Sequence, residues 1–122
     1  MSNLEEFKKI LQDFDHQFSE AKKLAKFEKF IEAKNVIVCA MGGSALAAEF
    51  ISALFYPNLK MQISKDYILP EYIDDSYLCI FISYSGSTEE TITAYEQAIK
   101  KTKKIAVITS GGKLEELAKK KQ

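Results

Sequence analysis

The sequence predicts an α/β protein of three layers, in which a doubly wound parallel sheet lies between helices. Continuous apolar runs rich in β-branched residues, such as 36–41 and 77–84, are typical of strands that are buried on both faces. Segments with helical periodicity alternate with these runs, as βα units require. Turns rich in glycine and small hydroxyl side chains follow three of the runs. Such turns mark the carboxyl ends of strands, where open parallel sheets bind ligands.

Composition and charge limit the classes of protein that the chain can belong to. With 122 residues, of which 47% are hydrophobic and 28% charged, it has the size and composition of one globular domain. Seventeen basic residues, all lysine, balance seventeen acidic ones, which argues against a nucleic-acid partner. No apolar run approaches the roughly 20 residues that cross a bilayer, so no membrane span is expected. The N-terminus lacks a secretory pattern, and we expect a cytoplasmic protein.

Residues 1–34 are predicted to form an N-terminal segment that precedes the sheet domain at 35–122. We expect one long helix over 2–33, because apolar residues recur at spacings of three and four. Ser2 and Glu5 have the spacing of a capping box at its start. Such a stripe packs into a core or against a second copy of the chain. The stripe comprises Leu4, Phe7, Leu11, Phe14, Phe18, Ala21 and Ala25.

The sheet domain is predicted to hold four strands and three helices. The strand near 60–65 alternates weakly, which favours a place towards an edge, and 66–76 is expected to be irregular. The helix at 45–55 is apolar almost all round and is therefore expected to be well buried. The other strands are expected at 36–41, 77–84 and 104–109, and the other helices at 88–102 and 114–120.

The turn from Ser83 to Thr88, Ser-Tyr-Ser-Gly-Ser-Thr, carries the strongest chemical signal. Gly86 lets the backbone approach a ligand closely, and the free amides that open the following helix favour an anion. Ser83, Ser85, Ser87 and Thr88 add four hydroxyls. Because the turn holds no cation, we expect a phosphate held by dipoles and hydrogen bonds.

Simpler explanations exist for parts of this pattern. Ser87 and Glu90 fit an ordinary capping box, but a capping box does not account for Ser83 and Ser85, which precede the helix. The turn Gly42-Gly43-Ser44 is a weaker signal, since many α/β folds have a glycine-rich first turn. The third turn, Ser110-Gly111-Gly112, is weaker still and is explained by a tight connection alone.

These three turns, taken in order, resemble the sugar isomerase (SIS) domain over residues 36–118. The resemblance is closest to the N-terminal half of bifunctional phosphoglucose/phosphomannose isomerases, marked by Gly-Gly-Ser, Ser-Tyr-Ser-Gly-x-Thr-x-Glu-Thr and Thr-Ser-Gly-Gly. It implies a flavodoxin-like strand order and a sugar-phosphate ligand. Ser87 stands where the family often has Asn or Glu. The phosphate-binding positions implied are Gly42, Gly43, Ser44, Ser83, Ser85, Gly86, Ser87 and Thr88.

The chain also departs from the family pattern. The family continues into a fifth strand and a second SIS domain, and its catalytic Glu, His and Arg lie beyond the matched region. The catalytic residues are therefore unknown, because Glu89 and Glu90 suit a helix start and His16 lies before the domain. Cys39 and Cys79 are expected to be buried reduced thiols, and neither a metal site nor a cofactor is expected.

Three functional hypotheses remain open from the sequence. The first is the phosphate-binding part of an isomerase that interconverts glucose 6-phosphate or mannose 6-phosphate with fructose 6-phosphate. The second is a non-catalytic phosphosugar-binding or regulatory module. The third, a flavin or nucleotide binder, is disfavoured because the hydroxyl-rich turn follows the third strand rather than the first. An edge left by the missing fifth strand favours a homodimer or higher oligomer.

Overall fold

The structure is a computed structural model that describes residues 2–24 and 31–121. The chain divides into two compact units at residue 30, and each is described by itself. The described part of the first unit holds two helices, and the second unit holds a sheet with helices on both faces. None of the helices within the described ranges combines the length and the hydrophobicity needed to cross a membrane.

The described part of the first unit contains α1 (Asn3–Gln12) and α2 (His16–Leu24), so the prediction of one long helix was wrong. The chain turns at 13–15, where hydrogen bonds from the amides of Phe14 and His16 reach back only three residues. Asp13 and Asp15 are poor helix formers, which explains the break. The capping box between Ser2 and Glu5 is confirmed. Residues 25–30 of the predicted helix lie outside the described residues, and 31–33 are not helical.

The second unit contains a four-stranded sheet in which every pair of neighbouring strands is parallel. The order β2-β1-β3-β4 confirms the doubly wound, flavodoxin-like topology with four strands and places β2 at an edge, as predicted. Three helices connect or follow these strands. The strands are β1 (Asn35–Ala40), β2 (Met61–Ser64), β3 (Tyr77–Ser83) and β4 (Ile105–Thr109), and the helices are α3 (Gly42–Phe55), α4 (Glu89–Ala98) and α5 (Gly112–Lys121).

Alternation along the strands divides the hydrophobic core between the two faces of the sheet. On one face Val38 and Ala40 pack against Ala45 and Ala48 of α3. On the other face side chains of β1 and β3 pack against α4 and Leu114 of α5. The ring of Phe81 meets that of Tyr95 edge to face, with centroids 5.4 Å apart. The unit is therefore a three-layer α/β sandwich, as the sequence predicted.

Helix α3 does not meet the expectation of full burial. Only Ala45 and Ala48 of α3 are buried, while Leu46, Phe50 and Leu54 are 62–65% exposed. A single turn of small residues faces the sheet, and the longer apolar side chains project from the opposite face. Uniform hydrophobicity therefore misled the prediction, because it could not show which side of the helix meets the sheet.

The connection from β2 to β3 is an irregular segment, residues 65–76, that lies over α4. Two of its apolar side chains, Leu69 and Ile73, are buried in the core. The carboxamide of Gln97 accepts a hydrogen bond from the Leu69 amide at 2.9 Å and donates one to the Tyr67 carbonyl at 2.7 Å. The Gln97 side chain thus provides hydrogen-bond partners for backbone groups that, in a helical connection, would bond to one another.

Both cysteines are free and buried, as predicted, and lie on the face of the sheet that packs against α4. Burial raises the pKa of Cys39 to about 12, with the nearby Cys79 adding to the effect. Burial likewise raises the pKa of Cys79 to about 11. The folded protein therefore holds both thiols protonated, and they are poor nucleophiles and poor metal ligands.

These raised pKa values predict a loss of stability at alkaline pH. The unfolded thiols ionise near pH 9 while the folded ones stay protonated, so the unfolding free energy should fall as pH rises above 9. Each thiol contributes a slope of up to about 1.4 kcal/mol per pH unit. Urea denaturation between pH 8 and 10.5 measures this slope. The double variant Cys39→Ala, Cys79→Ala should show a shallower slope, and an unchanged slope would contradict the assignment.

Candidate functional site

The glycine- and hydroxyl-rich turns lie side by side at the carboxyl edge of the sheet. Ala40 pairs with Ile82, so the turns that follow β1 and β3 leave the sheet next to each other. The turn after β4 lies on the far side of β3, because Ser83 pairs with Thr109. The chain moves outward in opposite directions from β1 and β3, so the topological switch point lies between the first two turns. Doubly wound folds bind ligands at this position.

The first turn opens directly into α3 through two glycines. Gly42 has a φ of +53°, a backbone conformation that favours glycine, and the space where a Cβ would lie is empty at both Gly42 and Gly43. The N-cap residue Met41 offers no side-chain hydrogen bond to the helix start. The amides of Gly42 and Gly43 therefore have no hydrogen-bond acceptor within the described residues, whereas those of Ser44 and Ala45 bond the Met41 carbonyl. Ser44 itself is half-exposed.

The second turn is organised around the buried hydroxyl of Ser83. That side chain is 2% exposed, lies 2.8 Å from the Thr88 hydroxyl and accepts a hydrogen bond from the Gly86 amide at 3.1 Å. The Ser87 amide donates to the Ser85 hydroxyl at 3.2 Å. Ser83 thus holds the turn from inside, whereas Ser85 and Ser87 lie exposed and Thr88 is half-buried.

The capping box considered for Ser87 and Glu90 is absent, so that alternative was wrong. Helix α4 begins at Glu89, and its N-cap is Thr88, which makes no side-chain hydrogen bond to the helix start. The Thr88 hydroxyl pairs with Ser83 instead. As in α3, the first-turn amides of α4 have no side-chain cap, and a helix start of this kind can bind an anion.

The third turn packs directly against the second, a role that the sequence analysis missed. Gly86 has a φ of +67°, and a Cβ there would overlap the carbonyl oxygen of Gly111. Gly112 has a φ of +71°, and a Cβ there would overlap the carbonyl oxygen of Ser85. Each turn therefore needs glycine where it meets the other. The available signal was the placement of a Gly-Gly pair at the carboxyl end of the strand next to β3.

Charged groups flank the site without entering the second turn. Lys65, at the end of β2, forms an ion pair with Glu49 of α3. Lys113 is exposed in the first turn of α5, at the same edge of the sheet. The Tyr67 hydroxyl lies 3.5 Å from Glu89, and the carboxylates of Glu90 and Glu89, together with partial burial, raise the pKa of Tyr67. The phenol therefore stays neutral beside the start of α4.

Within the second unit, the carboxylates Glu49 and Glu89 do not form a catalytic group. Glu49 pairs with Lys65, Glu89 lies near Tyr67, and His16 belongs to the first unit. Residues 2–24 and 31–121 contain no cluster of histidine, cysteine and carboxylate side chains that could hold a metal ion. What the described site offers is a set of hydroxyls and main-chain amides arranged for binding.

Comparison with known proteins agrees with this architecture. A family model described as SIS domain matches residues 29–121, which is most of the chain. The chain belongs to the SIS-domain family. The match includes all three turns and the whole described sheet of the SIS domain.

Three curated relatives show what this SIS domain is similar to. A bifunctional phosphoglucose/phosphomannose isomerase of Caldicellulosiruptor bescii is 42% identical over 87 residues, 70% of this chain and 26% of the relative. One of Aquifex aeolicus is 40% identical over 119 residues, 95% of this chain and 36% of the relative. A D-glucosamine-6-phosphate 4-epimerase of Sulfolobus acidocaldarius is 33% identical over 90 residues, 73% of this chain and 28% of the relative. The chain thus spans between 26% and 36% of these proteins.

A solved structure has the same fold. The crystal structure of a hypothetical protein from Methanococcus jannaschii, for which a function as 3-hexulose-6-phosphate isomerase was inferred, superposes with a TM-score of 0.59. The alignment covers 88% of this chain and 62% of that protein at 25% sequence identity. The doubly wound sheet of the SIS domain is therefore shared beyond the curated relatives.

The packing of the two turns predicts opposite effects for two alanine substitutions. Gly86→Ala would force a Cβ into the Gly111 carbonyl at a positive φ, and should lower the unfolding free energy by about 2–4 kcal/mol. Gly43→Ala is the matched control, because it has open space in a helix and should be neutral or stabilising by up to about 1 kcal/mol. Urea denaturation measures both. Equal stability of the two variants would contradict the described packing.

Proposed function

We propose that the carboxyl edge of this SIS domain binds the phosphate group of a sugar phosphate. The observation that carries the proposal is the convergence of two uncapped helix starts, α3 and α4, with the hydroxyls of the second turn at the switch point of the sheet. Helix starts and oriented amides stabilise an oxyanion without a cation. The proposed positions are Gly42, Gly43, Ser44, Ser83, Ser85, Gly86, Ser87 and Thr88.

Within this set the side chains differ in what they can do. Ser44, Ser85, Ser87 and Thr88 reach the surface, and we assign them the direct contacts with the phosphate oxygens. Ser83 is buried and bonded within the turn, so its part is to hold Thr88 and the Gly86 amide in place. The glycines keep the backbone open to the ligand.

The proposed reaction is the interconversion of glucose 6-phosphate or mannose 6-phosphate with fructose 6-phosphate. The names of the isomerase relatives support it, and all the compared proteins are named for phosphorylated sugars although their reactions differ. Such an isomerase moves a proton between C1 and C2 and needs a placed base. The phosphate contacts would supply the binding energy that positions these carbons.

A second candidate is a non-catalytic phosphosugar-binding or regulatory module. It is favoured by one observation: two carboxylates near this edge of the sheet already have protein partners. Glu49 pairs with Lys65, and Glu89 lies beside the Tyr67 hydroxyl. The binding residues would be the same in both cases. The two candidates therefore predict the same affinity for a sugar phosphate, but only the isomerase predicts turnover.

Titration with fructose 6-phosphate tests the shared part of these proposals. The amide resonances of 42–44 and 83–88 should shift at millimolar ligand, and Ser85→Ala should weaken binding by about tenfold, the loss expected for one hydrogen bond to a charged group. Ser76→Ala, at the opposite end of β3, is the matched control and should bind normally. If neither turn responds, the site assignment is wrong. Isomerase turnover that is lost in Ser85→Ala would reject the non-catalytic candidate.

We further propose that the protein is cytoplasmic and forms a homodimer or a higher oligomer. One side of β4 has no neighbouring strand within the described sheet, and α3 exposes Leu46, Phe50 and Leu54 at spacings of four, a ridge that can pack against its own copy. We assign the α3 ridge to the interface between copies.

Light scattering at micromolar concentration tests this assembly. The wild-type chain should have at least the mass of a dimer, and Phe50→Glu should reduce it to that of a monomer because a buried charge in the ridge is costly. Glu96→Lys, on the exposed side of α4, is the control for a surface charge change. A monomeric wild type would contradict the proposal.

A further inference from the structure

Groups of the third turn and the start of α5 donate hydrogen bonds to carbonyls of the second turn. The Tyr84 carbonyl accepts two hydrogen bonds from Ser110, one from its amide at 3.1 Å and one from its hydroxyl. The Gly86 carbonyl accepts a bond from the Leu114 amide, in the first turn of α5, at 2.9 Å. The third turn is itself fixed by the Thr109 hydroxyl, which donates to the Gly111 carbonyl at 2.9 Å. The carbonyls of Tyr84 and Gly86, two residues apart, are thus turned towards the third turn and the start of α5.

Because peptide groups are planar, the hydrogen bonds to the Tyr84 and Gly86 carbonyls also fix the direction of the two amides that follow. In a planar trans peptide the N–H points opposite to the preceding C=O. The amides of Ser85 and Ser87, which follow the held carbonyls, therefore point away from the third turn. Because β3 lies between β4 and β1, that direction leads towards the first turn and the switch-point crevice.

The amides of Ser85 and Ser87 differ in their hydrogen bonding within the protein. The Ser87 amide donates to the Ser85 hydroxyl at 3.2 Å, a neutral and exposed acceptor that an anion could replace. The Ser85 amide makes no hydrogen bond to the part of the chain that the structure describes. Both are therefore available for a ligand oxygen in the crevice.

We propose that Ser110 is a positioning residue for the phosphate site, acting through the Tyr84 carbonyl on the direction and donor strength of the Ser85 amide. This inference rests on the proposed function and gives the third turn, which packs against the second, a part in ligand binding as well. A carbonyl that accepts two hydrogen bonds is polarised, and the N–H of the same peptide becomes a stronger donor. The ligand it favours is a phosphate dianion or another tetrahedral oxyanion.

The test compares Ser110→Ala with Ser110→Thr in the full chain, using inorganic phosphate and fructose 6-phosphate as separate probes. Ser110 is exposed, so removal of its hydroxyl should leave the melting temperature nearly unchanged. Ser110→Ala should weaken binding of both probes by roughly two- to tenfold, the range of one neutral hydrogen bond, and should shift the Ser85 amide resonance of the free protein. Ser110→Thr keeps the hydroxyl and should restore both. Ser76→Ala is the control.

The possible results separate this inference from the function on which it rests. If the wild-type chain binds neither probe, the proposed function fails. If the wild type binds and Ser110→Ala matches it in affinity and in the Ser85 resonance, Ser110 has no positioning role. A fall in melting temperature that accounts for the whole loss of affinity, with no recovery in Ser110→Thr, also overturns it, because the residue would then be structural alone.

Discussion

The close approach of two backbone turns at Gly86 and Gly112 is the constraint on which the rest of the site depends. Gly86 and Gly112 lie where each turn would otherwise clash with a carbonyl oxygen of the other. Only glycine combines the positive φ with the missing Cβ at these points. Because the turns follow neighbouring strands, the register between β3 and β4 sets their contact. The pairing of β3 with β4 therefore sets the geometry of the binding edge.

The hydroxyls of the second turn divide between two tasks. Ser83 is buried and satisfied by Thr88 and the Gly86 amide, so it contributes rigidity. Ser85 and Ser87 remain at the surface, where a ligand can reach them. A binding loop that carries its own internal support loses little conformational entropy when a ligand arrives. This division explains why serine recurs at positions with such different exposure.

The sequence predicted the sheet and the site turns better than it predicted the helices. Buried strands such as 36–41 and 77–84 have a distinctive apolar pattern, and their carboxyl ends located the turns. The break at Asp13 was missed because the apolar stripe continues across it, and the local preferences of two aspartates outweigh a periodic pattern. The exposed face of α3 was missed because its hydrophobicity is uniform. The contact of Gly86 with Gly111 depends on strand order, which periodicity cannot supply.

The segment at 65–76 has a consequence for how the molecule opens. It covers part of the core with Leu69 and Ile73, and its backbone is bonded by the side chains of Gln97 and Lys101. Its central part, residues 67–71, can detach while the sheet remains paired, because its hydrogen bonds to Gln97 and Lys101 lie outside the strand ladders. Solvent would then enter the α4 face first. Amide exchange within this unit would begin over Leu69 and reach β3 last.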